Sequence, residues 1–148
     1  MATGDRKDIR DNEAISSSRE EGQGDYIKVL LVDDEVAYVN VISKRLGKRN
    51  FKVTKALSGS EAIQVLRRED FDVAVVDLKM EGMDGIEVLK VFKKMAPGME
   101  VIMLTGHGSE KAAREGVAAG AFDYLTKPCD LEELMAKIRQ AFQKSGGR

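Results

Sequence analysis

The chain holds one cysteine, Cys129, so no disulfide can close within it, and a lone thiol fits a reducing compartment. No apolar run approaches the ~18 residues of a membrane span. The first residues also lack the apolar centre of a secretory leader. Charge of one sign is scarce as well. Against 25 acidic side chains stand 24 basic ones, leaving a formal charge of −1, which favours neither nucleic acid nor an anionic membrane as a partner. Histidine occurs once, as His107, so no His/Cys cluster is available to zinc or a softer metal. There is no GxxxxGK run for a nucleotide, no internal repeat, and Gly106-His107-Gly108 lacks the third glycine of a dinucleotide loop. What is present is an ordinary globular composition, 43% hydrophobic and 33% charged over 148 residues, enough for one domain with a real core. A cytoplasmic protein is expected.

Residues 1–25 stand apart. MATGDRKDIRDNEAISSSREEGQGD carries mixed charge and, after Met1, only Ile9 and Ile15 as sizeable apolar groups. Such a segment buries too little surface to offset its ordering entropy, so a flexible N-terminal tail is expected there. The domain is expected over 26–144, followed by a short C-terminal tail at 145–148. Within it, short aliphatic runs at 28–32, 51–56, 73–77, 101–105 and 123–126 read as strands. Three of them (VLLV, VAVV, VIML) are apolar throughout, as suits parallel strands covered on both faces. Helical spacing links Val36, Val39, Ile42 and Leu46, then Ile86, Leu89 and Phe92, then Leu131, Leu134, Ile138 and Phe142. Ser58 with Glu61, and Asp130 with Glu133, have capping-box spacing. Five strands alternating with five helices imply an α/β sandwich built as (βα)5 with right-handed crossovers. Lys44, Arg45, Lys48 and Arg49 read as a solvated face of the first helix.

In open α/β sheets, function gathers at the carboxyl ends of the strands. The first strand ends in Asp33-Asp34, the third in Asp77, the fourth in Thr105 and the fifth in Lys127. Carboxylates beside a core are costly unless paired or bound to metal. If the first, third and fourth strands are neighbours, three carboxylates, a hydroxyl and an ammonium converge. Three such carboxylates cannot all stay ionised unaided, and one should have a strongly raised pKa. Mg²⁺ with Lys127 would balance them, and an all-oxygen ligand set suits that ion. One aspartate could serve as a helix cap, but two in succession with a third at another strand end exceed that need. A carboxylate beside a metal makes an acyl phosphate plausible. Gly106 would leave room for the incoming group and offer an N–H.

VLLVDDE, VAVVDLKMEGMDG, VIMLTGHG and AFDYLTKP, at these intervals, resemble the receiver domain of bacterial two-component response regulators over 26–144. The resemblance implies a flavodoxin-like three-layer fold with a five-stranded parallel sheet in order 2-1-3-4-5. It implies that Asp77 accepts a phosphoryl group from a histidine kinase or histidine phosphotransfer protein. Asp34 then matches the direct Mg²⁺ ligand, Asp33 the ligand through water, and the backbone carbonyl of Lys79 completes the protein's share. Lys127 matches the lysine that pairs with the acceptor carboxylate and then with phosphoryl oxygens. Thr105 matches the hydroxyl that turns inward, Tyr124 the aromatic switch, and Lys127-Pro128 a cis bond. Output is expected through residues 107–144, on a downstream protein or attached domain, with a monomer or a phosphorylation-dependent dimer. Glu35 is expected to begin the first helix, where negative charge is favourable. Lys79 and His107, each two residues beyond a site residue, would flank an attacking water and tune the phosphoryl lifetime. The protein is then a signalling phosphoacceptor rather than an enzyme in the usual sense. Two other readings use the same residues: a pseudo-receiver that is never phosphorylated, and a Mg²⁺-dependent phosphatase with an aspartyl nucleophile. The latter places its second aspartate two residues after the first, whereas Asp33 and Asp34 are adjacent.

Overall fold

The computed structural model describes residues 26–106 and 109–147. The expected tail at 1–25 and His107 lie outside the described residues. Five strands alternate with five helices: β1 (Ile27–Val32), α1 (Val36–Gly47), β2 (Phe51–Ala56), α2 (Gly59–Arg68), β3 (Val73–Asp77), α3 (Gly85–Met95), β4 (Glu100–Thr105), α4 (Glu110–Ala118), β5 (Asp123–Thr126) and α5 (Leu131–Lys144). β1 and β4 each begin one residue before their apolar runs, because Ile27 pairs with Phe51 and Glu100 with Val73. All pairings are parallel and the order is β2-β1-β3-β4-β5.

Alternation along the strands divides the interior in two. Leu30, Val32, Ala74, Val76, Val101 and Met103 point to the side covered by α2, α3 and α4, where Val65, Leu66, Leu89 and Phe92 meet them. Val29, Leu31, Val73, Val75, Ile102 and Leu104 point the other way, against Val39, Ile42 and Leu46 of α1 and Leu134 and Ile138 of α5. The central strands are therefore buried on both faces, which is why their sequences show no polar alternation. Val36, placed on the buried stripe by its spacing, is 52% exposed; packing of α1 begins one turn later.

Helix starts follow the side-chain chemistry only in part. Ser58 Oγ accepts the Glu61 N–H at 3.1 Å, while the Glu61 carboxylate takes the N–H of Leu57 at 2.7 Å, one residue before the cap. Asp130 precedes α5 but its carboxylate makes no capping bond; only its carbonyl accepts, from Leu134 N–H. Its charge still lies at the positive end of the helix. The complete capping box is Asp84 with Glu87 at α3, with reciprocal bonds of 2.9 and 3.0 Å. It lies directly after the loop that leaves Asp77.

Candidate functional site

β1 and β3 are hydrogen-bonded neighbours and β4 adjoins β3, so the carboxyl ends of three strands open on one place. Asp33, fully buried, follows β1; Asp77, 7% exposed, ends β3; Thr105, fully buried, ends β4. Asp34 is the member that faces solvent. Asp33, Asp34 and Asp77 each offer a carboxylate oxygen within 4.8 Å of the others. Neither Asp33 nor Asp34 caps α1, since Glu35 holds that position.

Each group has a defined set of partners. Asp33 Oδ1 accepts the Glu35 N–H at 2.9 Å and its Oδ2 accepts from Lys127 Nζ at 2.6 Å. Asp34 Oδ2 accepts the Glu81 N–H at 3.2 Å, which ties the β3–α3 loop to the end of β1. The Lys79 side chain is exposed, while its backbone acts to lower the pKa of the Asp77 carboxyl. Thr105 Oγ1 donates to the Gly106 carbonyl at 3.2 Å, and the Thr105 carbonyl accepts the Lys127 N–H at 2.7 Å. A side chain built on Gly106 would meet nothing within 4 Å, so the space beside Thr105 is open. Tyr124, opposite Met103 in the sheet, is half-buried against the core beneath α3 and α4. The Lys127-Pro128 bond is cis, as expected.

Lys127 is the cation beside these carboxylates, and its ammonium lies closer to Asp33 and Glu35 than to Asp77, the residue with which the resemblance pairs it. Its Nζ lies 2.6 Å from Asp33 and 2.9 Å from Glu35, against 3.8 Å from Asp77. The ammonium also sits over the Tyr38 ring, 4.4 Å from its centroid, in cation–π contact. Burial alone would lower its pKa, but hydrogen bonds to Asp33 and Glu35 and the charge of Asp77 outweigh that and raise it. Asp77 goes up to about 6, from an ordinary 3.8, chiefly through burial and then through the charge of Asp33; Lys127 and the Lys79 backbone pull it down incompletely. Burial likewise raises the Tyr38 hydroxyl to about 12. Glu35 and Tyr38 were not singled out as site residues. Glu35 is the N-cap of α1 and Tyr38 lies three residues on, in its first turn; their meeting with Lys127 is a tertiary contact that no local spacing records.

The donor set is all oxygen, from three carboxylates with the Lys127 ammonium beside them, and burial together with the charge of Asp33 raises the Asp77 pKa. That combination could hold a hard divalent cation such as Mg²⁺. It suits phosphoryl chemistry, which asks mainly for positioned oxygens and neutralised charge.

The family model described as the response regulator receiver domain matches residues 29–139. The chain belongs to that family. The transcriptional regulatory protein GlrR of Escherichia coli K12 is 39% identical over 117 residues, covering 79% of this chain and 26% of that protein. The probable transcriptional regulatory protein TcrX of Mycobacterium tuberculosis is 34% identical over 123 residues, covering 83% of this chain and 53% of its own length. Among solved structures, a response regulator receiver domain protein from Clostridium thermocellum superposes with a TM-score of 0.78 at 33% identity, covering 81% of this chain and 97% of that one. The chain thus spans between about a quarter and a half of these two curated relatives, and nearly the whole of a solved receiver domain. Among the described residues no helix is long and apolar enough to cross a membrane.

Proposed function

We propose that this receiver domain is a working phosphoacceptor, in which Asp77 takes a phosphoryl group from the phosphohistidine of a histidine kinase or a histidine phosphotransfer protein. One juxtaposition carries the reading: carboxylate oxygens of Asp33, Asp34 and Asp77 within 4.8 Å of one another, with the Lys127 ammonium 3.8 Å from Asp77. An Asp77 carboxylate oxygen attacks phosphorus as the N–P bond of the donor breaks, and the donor nitrogen keeps the electron pair. With its pKa near 6, Asp77 is mostly ionised at neutral pH and available as that nucleophile. Asp34, Asp77 and the Lys79 carbonyl would hold Mg²⁺, with Asp33 reaching it through water; the ion supplies charge that neutralises phosphoryl oxygens.

The remaining phosphoryl oxygens fall to Lys127 and Thr105. The Thr105 hydroxyl exchanges its Gly106 carbonyl partner for a phosphoryl oxygen, beside the N–H of Gly106, and Tyr124 follows inward. Two states of the Thr105 loop, biased by the phosphoryl group, then connect the site to an output surface within residues 107–144. That surface acts in the cytoplasm on a downstream protein or an attached domain, as a monomer or a phosphorylation-dependent dimer. Lys79 and His107 would set the lifetime of the acyl phosphate.

Incubation with acetyl phosphate and Mg²⁺, followed by intact mass measurement, tests the central step. The wild-type chain should gain one phosphoryl group and Asp77→Ala none. Labelling that survives Asp77→Ala, or a wild-type chain that is never labelled, overturns the reading.

A further inference from the structure

An ammonium has three N–H donors. In Lys127 one is directed to Asp33 at 2.6 Å and one to Glu35 at 2.9 Å. Asp77, at 3.8 Å, is beyond hydrogen-bond reach. The Tyr38 ring, 4.4 Å from the ammonium, limits movement on a further side. The first turn of α1 therefore constrains Lys127 through two residues that lie outside the acidic set. Exposure separates the roles of the two short contacts. The Asp33 side chain is fully buried and needs a cation, whereas the Glu35 side chain is 64% exposed and would be well solvated without one.

We infer that Glu35 is a positioning residue, whose carboxylate draws the Lys127 ammonium toward α1 and slows phosphoryl transfer to Asp77. This rests on the reading of Asp77 as phosphoacceptor. A phosphoryl group arriving there needs an N–H from Lys127, and Glu35 occupies one of three. Neutralising Glu35 as glutamine removes the charge that holds that donor, leaving a weaker neutral acceptor, and leaves Asp33, Asp34 and Asp77 unaltered. An ion pair with an exposed member is weak, which sets the expected effect at roughly two- to five-fold in rate.

The experiment uses the full chain with acetyl phosphate and Mg²⁺. In that reaction an Asp77 oxygen bonds to phosphorus, the bond from phosphorus to the acetyl oxygen breaks, and acetate leaves. Rates are followed by intact mass for wild type, Glu35→Gln, Lys127→Ala and the double variant, over times long enough for the slow Lys127→Ala background. Glu35→Gln should raise the limiting rate by roughly two- to five-fold, with little change in the half-saturating acetyl phosphate concentration. In the Lys127→Ala background the same substitution should have no effect, because the coupling runs through the ammonium. A gain of equal size in both backgrounds, or one confined to the half-saturating concentration, reduces Glu35 to a general charge effect and overturns the inference. An unchanged or lower limiting rate in Glu35→Gln does so as well. Absence of Asp77-dependent labelling in wild type instead defeats the phosphoacceptor reading itself, so the two failures are separable.

Discussion

Asp77 ends a strand among groups that oppose its charge, and the consequence for stability has a definite sign. Its pKa near 6, against an ordinary 3.8, means that the folded chain binds that proton more tightly than the unfolded one. The stability this contributes is complete below about pH 4 and is lost as pH rises through about 6. Two pH units correspond to roughly 3 kcal/mol at about 1.36 kcal/mol per unit, and Asp77 is buried enough that solvent screens little of it. Asp77→Asn should therefore stabilise the metal-free protein near neutral pH, by about 1–3 kcal/mol, with the gain vanishing toward about pH 4. Urea unfolding in chelator at several pH values measures it. A gain equal at every pH would place the cost of Asp77 in packing instead of charge. This strain was readable from the sequence, since three strand-end carboxylates cannot all ionise freely. The attachment of Lys127 to Glu35 and Tyr38 was not readable: it depends on how a half-buried side chain crosses from β5 to α1, and spacing within one helix says nothing about that.

The β3–α3 connection shows how an element holds Asp77 in place. α3 begins with the Asp84–Glu87 capping box, and the Gly85 N–H donates to the Leu78 carbonyl at 2.9 Å. A methyl group on Gly85 would come within 2.5 Å of the Asp77 carbonyl oxygen and 2.7 Å of Leu78 Cα. Both are backbone atoms, so no rotamer change relieves the contact. Gly85→Ala should cost about 1–3 kcal/mol and also slow labelling of Asp77, because the end of β3 must shift. Asp84→Ala should cost about 1 kcal/mol through loss of the cap, with a much smaller effect on rate. Denaturant midpoints and acetyl phosphate kinetics on both variants separate the cases; equal rates in Gly85→Ala and wild type would show that β3 does not carry the strain. The strands and helices around this loop were legible because burial on both faces leaves apolar runs and burial on one face leaves helical spacing. The approach of Gly85 to β3 is a tertiary distance between residues eight apart, and no local pattern records it.

At the scale of the molecule, the sheet order is what brings charges together that the chain keeps far apart. Asp34 and Asp77 share a site because β1 and β3 pair directly, Val32 opposite Val76. Alternating elements imply a parallel sheet, but the order came from resemblance to receiver domains; periodicity leaves it open, since any right-handed arrangement buries the same two faces. The two apolar layers pack on both faces of the strands whose ends carry these carboxylates. The folded chain thus gathers three carboxylates that could hold a cation, whereas an unfolded chain scatters them. Binding to the folded form alone raises stability by about 2.7 kcal/mol at a hundred times the dissociation constant. Mg²⁺ should therefore raise the melting temperature of the wild-type chain in a concentration-dependent way. Asp34→Asn should remove most of that gain, because it deletes the carboxylate most open to solvent while leaving the Asp33–Lys127 pair intact. Thermal scans with Mg²⁺ and with an equal ionic strength of Na⁺ distinguish binding from screening. An identical rise in both salts, or a full Mg²⁺ response in Asp34→Asn, would mean that the three carboxylates do not act together as a metal site.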